Sequence, residues 1–107
     1  MSVPLDPLLS QPTRLQIVAL LFRNRQASAK SVCAALDITP GNLASHAARL
    51  EEAGYVETFR ALAALQFEVR HRITPRGDAA FRAHAAALQE LLASSLAAQK
   101  SAQLEAP

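Results

Sequence analysis

Between Thr39 and Val56 the chain reads TPGNLASHAARLEEAGYV, and four of its side chains can make directed hydrogen bonds to a flat polar edge. Asn42, Ser45, His46 and Arg49 recur at three- and four-residue intervals, so on a helix they share one side, with Ala48 and Glu52 beside them. Asn can pair with an adenine and Arg with a guanine through two hydrogen bonds each, while Ser or His can reach bases or phosphates. Thr39 and Gly41 stand where such a helix would begin, and its unpaired backbone amides suit a phosphate. This is chemistry for reading a polyanion, not for breaking bonds.

Bond-breaking chemistry finds no foothold. There is no Gly-rich phosphate loop and no G-x-S-x-G elbow, and the adjacent Glu51 and Glu52 point in different directions on a helix. No enzyme is expected. His46, His71, His84 and Cys33 lack metal-ligand spacing, so neither metal nor cofactor is expected. Cys33 falls on an inward helical position and reads as a small hydrophobe. As a lone cysteine it suits a reducing compartment. His71 falls on the apolar side of a strand and reads as a hydrogen-bonded core histidine.

The elements that must position the polar edge follow from periodicity. VPLDPLL allows at most one helical turn because Pro4 and Pro7 interrupt it. A helix is predicted from Pro12 to about Asn24. Leu15, Ile17, Val18, Leu20, Leu21 and Phe22 sweep roughly 220° of it. So wide an arc predicts that its second side meets another subunit. A second helix follows Ala27, capped by Ser28, with Val32, Cys33 and Leu36 inward. LDIT turns the chain, and Thr39 caps a third helix with Pro40 in its first turn. Leu43, Ala47 and Leu50 form its buried edge, and Gly54 stops it in the left-handed conformation.

After Gly54 the period becomes two. Leu65, Phe67, Val69, His71 and Ile73 alternate with polar residues as a half-buried strand, paired antiparallel with Tyr55 to Arg60. Thr74 and Pro75 open a last helix, in which Phe81, Ala85, Leu88, Leu92 and Leu96 fall within about 80°. That narrow seam predicts helix pairing, with fraying after about Ser101. The fold class is therefore mainly α with a small two-stranded β-wing: a winged helix-turn-helix with a long C-terminal dimerisation helix. A single domain spans 1–107, with the helix-turn-helix at about 28–53, the wing at about 55–73 and the dimerisation helix at about 75–100.

Composition fits that frame. The chain has 107 residues, half of them hydrophobic, which suits one small core. A net charge of +2 permits a polyanionic partner without requiring one. The longest apolar run, Ile17 to Phe22, is far short of the roughly 20 residues that cross a bilayer. MSVPLDPLL lacks the basic region of a signal peptide, so a cytoplasmic location with no membrane contact is expected.

Three segments, PTRLQIVALL, ITPGNLASHAARLEEAGYV and HRITPRGDAAF, resemble small winged helix-turn-helix transcriptional regulators related to the MarR and ArsR families. The likeness runs from residue 5 to about 95. It implies a dimer that binds double-stranded DNA, the third helix in the major groove and the wing on backbone or minor groove. DNA contact is then expected from Thr39, Gly41, Asn42, Ser45, His46, Arg49, Arg60, Arg70 and Arg72. Arg14, Arg23, Arg25 and Lys30 could flank that site. The homodimer interface is expected to use Ile17, Leu20, Leu21, Phe81, Leu88, Leu92 and Leu96. This chain departs from such relatives at Ser45 and Ala48, where they carry basic residues, and in its apolar wing RALAALQFE. Each missing phosphate contact removes counterion release, a main source of affinity. The alternative is a protein-interaction module whose partner docks on the wing.

Overall fold

The computed structural model describes residues 4–105; Val3, the start of the VPLDPLL segment, and residues 106–107 lie outside it. The elements run α1 (Pro12–Asn24), β1 (Gln26–Ser28), α2 (Ala29–Leu36), α3 (Pro40–Glu52), β2 (Val56–Ala63), β3 (Gln66–Ile73) and α4 (Pro75–Glu105).

Side-chain chemistry sets the helix ends. Gln11 Oε1 accepts from the Arg14 amide at 2.7 Å and Ser28 Oγ from Ser31 at 3.0 Å. Thr39 Oγ1 accepts from Asn42 at 3.1 Å, and Thr74 Oγ1 from Gly77 at 3.0 Å. Each satisfies an amide that the helix itself leaves unpaired. At the other end of α3, Gly54 takes φ +78, and the Gly54 and Tyr55 amides bond to the Glu51 and Leu50 carbonyls, both at 2.9 Å. This left-handed closure turns the chain directly into β2.

The core joins Ile17, Val18, Leu20 and Leu21 of α1 to Leu9, Val32, Leu43, Leu50, Val56 and Ile73. Here the first expectation fails. Ile17, Leu20 and Leu21 are 1%, 5% and 0% exposed, so they meet this chain's own elements and cannot form a subunit interface. A helix with so wide an apolar arc lies in the middle of the domain, with α2, α3, α4 and the sheet around it. Phe81 is half-buried: its ring packs on Phe22, centroids 4.7 Å apart, against the edge of the same core.

The sheet has three antiparallel strands in the order β1-β3-β2, not the two expected. β1 pairs Gln26 with Arg72 and Ser28 with Arg70, tying the entry of α2 to the wing. β2 and β3 pair from Val56↔Ile73 to Ala63↔Gln66, so the hairpin is longer than Tyr55 to Arg60 alone would make it. Ala64 and Leu65 form its two-residue turn with φ +47 and +69. Positive φ at both positions matches the twist of a hairpin, yet neither residue is one that favours it.

α4 is 31 residues long, about 46 Å at 1.5 Å per residue. It remains helical through Ser101 to Glu105, where fraying was expected. Ala87 is its last buried residue, and every side chain from Gln89 to Leu104 is exposed.

Candidate nucleic-acid interface

α3 buries Leu43, Ala47 and Leu50, which leaves Asn42, Ser45, Ala48, Arg49 and Glu52 exposed along its other side. Thr39 and Gly41 are exposed at its start, although the Thr39 hydroxyl is already engaged in capping. A Cβ added at Gly41 would meet nothing within 4 Å, so packing within the chain does not demand glycine there. The absent side chain leaves the first turn of α3 open to close approach by a phosphate.

His46, half-buried on the flank, is joined by a residue from a distant element. Arg14 of α1 donates through Nε to the Leu8 carbonyl at 2.8 Å and brings NH1 to 3.4 Å from His46 Nδ1. Desolvation, then the guanidinium charges of Arg14 and Arg49, hold the His46 pKa below 6.5. The imidazole is thus neutral near pH 7 and can accept or donate, with two cations beside it. Arg14 was only one of four flanking candidates in the sequence, because nothing local to it signals proximity to α3. Arg25 is already engaged: it pairs with Asp78 and lies over the Phe22 ring at 5.1 Å.

The wing divides its basic residues between two faces. Directly paired residues share a face, so Thr58 and His71, Arg60 and Val69, and Leu62 and Phe67 lie together. Thr58, Val69 and His71 border α3, which makes Arg60 the arginine on the α3 side. Arg70 and Arg72 fall on the opposite face, opposite Phe59 and Glu57. Arg70 pairs with Glu68 at 2.8 Å and with Gln26 at 3.1 Å. Arg72 pairs with Glu57 at 2.7 Å and stacks 4.6 Å over Phe59. The fold therefore gathers Asn42, Ser45, His46 and Arg49 with Arg14, and does not bring Arg70 and Arg72 to them.

His71 is 4% exposed, with Nδ1 2.8 Å from Thr58 Oγ1. Burial lowers its pKa from 6.5, while the charge of Glu51 pulls the other way. The unfolded chain therefore binds the proton more readily. His71 contributes stability that is fully present above pH 6.5 and lost as pH falls toward the lowered folded value. His46 acts in the same direction. Urea denaturation should show lower stability at about pH 5 than at about pH 7.5, with a smaller difference in His71→Asn. Equal stability at both pH values would contradict this assignment.

A capped three-residue turn between α2 and α3, an outward polar face on α3, and a hairpin followed by a long helix define a winged helix-turn-helix protein. The sequence profile of the winged helix DNA-binding domain family matches residues 13–92, and the chain belongs to that family. The uncharacterized protein MJ0432 of Methanocaldococcus jannaschii is 33% identical over 69 residues, covering 64% of this chain and 75% of that one. The transcriptional regulator homologue protein from Pyrococcus horikoshii OT3 superposes with a TM-score of 0.77 at 31% identity, over 81% of this chain and 86% of that one. YusO from Bacillus subtilis shares the fold, with a TM-score of 0.69 at 20% identity over 87% and 72% of the two chains. The domain thus resembles MarR/ArsR-family transcriptional regulators. Among the described residues no cluster of three or more His, Cys, Asp or Glu side chains could hold a metal ion, and no helix is long and apolar enough to cross a membrane.

Proposed function

We propose that the chain is a sequence-specific transcriptional regulator that binds double-stranded DNA as a homodimer, with each α3 in a major groove. The observation that carries this reading is the exposed edge of Asn42, Ser45 and Arg49, flanked by His46 and Arg14 and opposite the buried Leu43–Ala47–Leu50 edge. Asn42 and Arg49 supply the paired donors and acceptors that distinguish bases. Thr39 and Gly41 leave backbone amides for a phosphate. Arg60 is the wing residue on the same side. Arg70 and Arg72, paired to acids on the far face, take a lesser part. Dimerisation falls to the projecting half of α4, with Leu88, Leu92 and Leu96.

Footprinting on the DNA upstream of the gene for this chain supplies the site. Arg49→Ala should then weaken binding there by roughly 1–3 kcal/mol while leaving unrelated DNA nearly unaffected. An equal loss on both would reduce Arg49 to a phosphate contact. No loss on either would remove it from the interface, and with it the main support for the reading.

A second reading draws on the wing. Leu62, Leu65 and Phe67 are 63%, 94% and 66% exposed, an apolar tip that a charged groove does not require. It would make the chain a protein-interaction module. Leu62→Ser with Leu65→Ser should change DNA affinity by less than about 0.5 kcal/mol, as ordinary surface substitutions do. Abolished DNA binding in a folded dimer would make the tip a direct DNA element. Unchanged DNA binding with loss of a specific co-purifying protein would favour the second reading.

A further inference from the structure

Arg14 reaches the outward side of α3 from another helix, and both its backbone and its side chain are held in place. The Gln11 side chain accepts from its amide at 2.7 Å, which sets it in the first turn of α1. Its Nε donates to the Leu8 carbonyl at 2.8 Å. Leu8 is fixed in turn by Asp6 Oδ1, which accepts from the Leu8 amide at 2.9 Å, and by packing against the core. With Nε anchored, the planar guanidinium brings NH1 to 3.4 Å from His46 Nδ1.

That contact decides where the imidazole proton sits. A guanidinium only donates, so the Nδ1 that faces it must offer a lone pair. In the neutral ring the proton is then on Nε2. Nε2 makes no hydrogen bond among the described residues, and no side-chain nitrogen there is buried without a partner, so it is open to solvent. The charged groups that face the ring are Arg14 of α1 and Arg49 on its own helix, and no carboxylate offsets them. An outward N–H beside two cations suits an anion that only accepts. A phosphate oxygen is such a group, whereas adenine and cytosine also present donors in the major groove.

We propose that Arg14 is a positioning residue for the DNA face: it locks His46 as an Nε2–H donor, which a backbone phosphate of the duplex accepts. The phosphate rests on the DNA reading, but the place of the proton is a property of the free chain, so the two fail separately. Asn42 and Arg49 read bases, while the Arg14–His46 pair sets the register of α3 on the backbone and acts on every sequence alike.

Nitrogen NMR of the whole protein without DNA, at about pH 7.5, should show His46 with Nδ1 bare and Nε2 protonated. In Arg14→Met both tautomers should appear, and the His46 titration midpoint should rise, because a cation that opposes the imidazolium is gone. Arg14→Lys keeps the charge without the fork and should likewise lose the single tautomer. Arg14→Met and His46→Ala should each weaken binding about tenfold, on the footprinted site and on an unrelated duplex alike, with unchanged circular dichroism. The double variant should bind little worse than either, since one residue acts through the other. Mixed tautomers in the wild type, an Arg14→Lys spectrum like that of the wild type, or losses that add in the double variant would each overturn the proposal. A His46→Ala loss confined to the footprinted site would make His46 a base contact and overturn the phosphate assignment. A wild type that binds no duplex would overturn that assignment together with the DNA reading.

Discussion

Gly77→Ala should lower the stability of the domain by about 3 kcal/mol or more, a large fraction of the roughly 5–15 kcal/mol that keeps a domain folded. Helix propensity alone argues the reverse, since alanine is favoured over glycine by about 1 kcal/mol within a helix. The opposing effect is steric. A Cβ at Gly77 would overlap the Tyr55 carbonyl oxygen and lie 2.9 Å from the carbonyl carbon, and backbone cannot rotate aside as a side chain can. The same carbonyl accepts from the Thr74 amide at 3.1 Å, while the Thr74 hydroxyl donates to Gly54 O and accepts from Gly77 N. Moving α4 away would break the corner that joins the end of α3, the start of β2 and α4. Gly41→Ala is the matched control, because its added methyl meets nothing within 4 Å. Urea midpoints should fall sharply for the first variant and stay level or rise for the second. A Gly77→Ala midpoint equal to wild type would mean that this corner is not close-packed in solution.

Leu92→Glu with Leu96→Glu should convert a dimer to a folded monomer and reduce DNA affinity by about a hundredfold or more, since linking two half-site contacts supplies gains of that order. Leu92 and Leu96 are 54% and 70% exposed and lie beyond Ala87, the last buried residue of α4. Their replacement therefore removes nothing from the chain's own core. An isolated helical extension with exposed leucines is marginal in water unless another apolar surface covers it. Sedimentation at micromolar concentration should give about twice the 11.5 kDa chain mass for wild type and the chain mass for the variant. Sedimentation of the wild type as a monomer would refute pairing through this helix. Loss of helical signal in the variant would show that folding and pairing are linked.

The sequence by itself determined the elements whose causes are local. Ser28, Thr39 and Thr74 cap the helices they precede, and Gly54 reverses the chain after α3. The three- and four-residue spacing of Leu43, Ala47 and Leu50 decided which side of α3 is buried, and so which polar side chains face outward. These features depend on neighbours within a few residues, where backbone geometry leaves few choices.

Only the tertiary structure decided what depends on long-range approach. The arc of α1 shows that two sides are apolar, but Ile17, Leu20 and Leu21 are equally suited to a partner or to their own core; the domain closes around them. β1 has three residues, too few to establish a period, and exists because β3 offers it an edge. Arg70 and Arg72 looked available in the alternating strand, yet pairing register sets Glu57 opposite Arg72, and β1 brings Gln26 to Arg70. Arg14 meets His46 across 32 residues, and Ala29 of α2 and Thr58, Val69 and His71 of the hairpin come together beside α3. Periodicity specifies the side of an element on which a residue lies, whereas the packing of separate elements decides what that side meets.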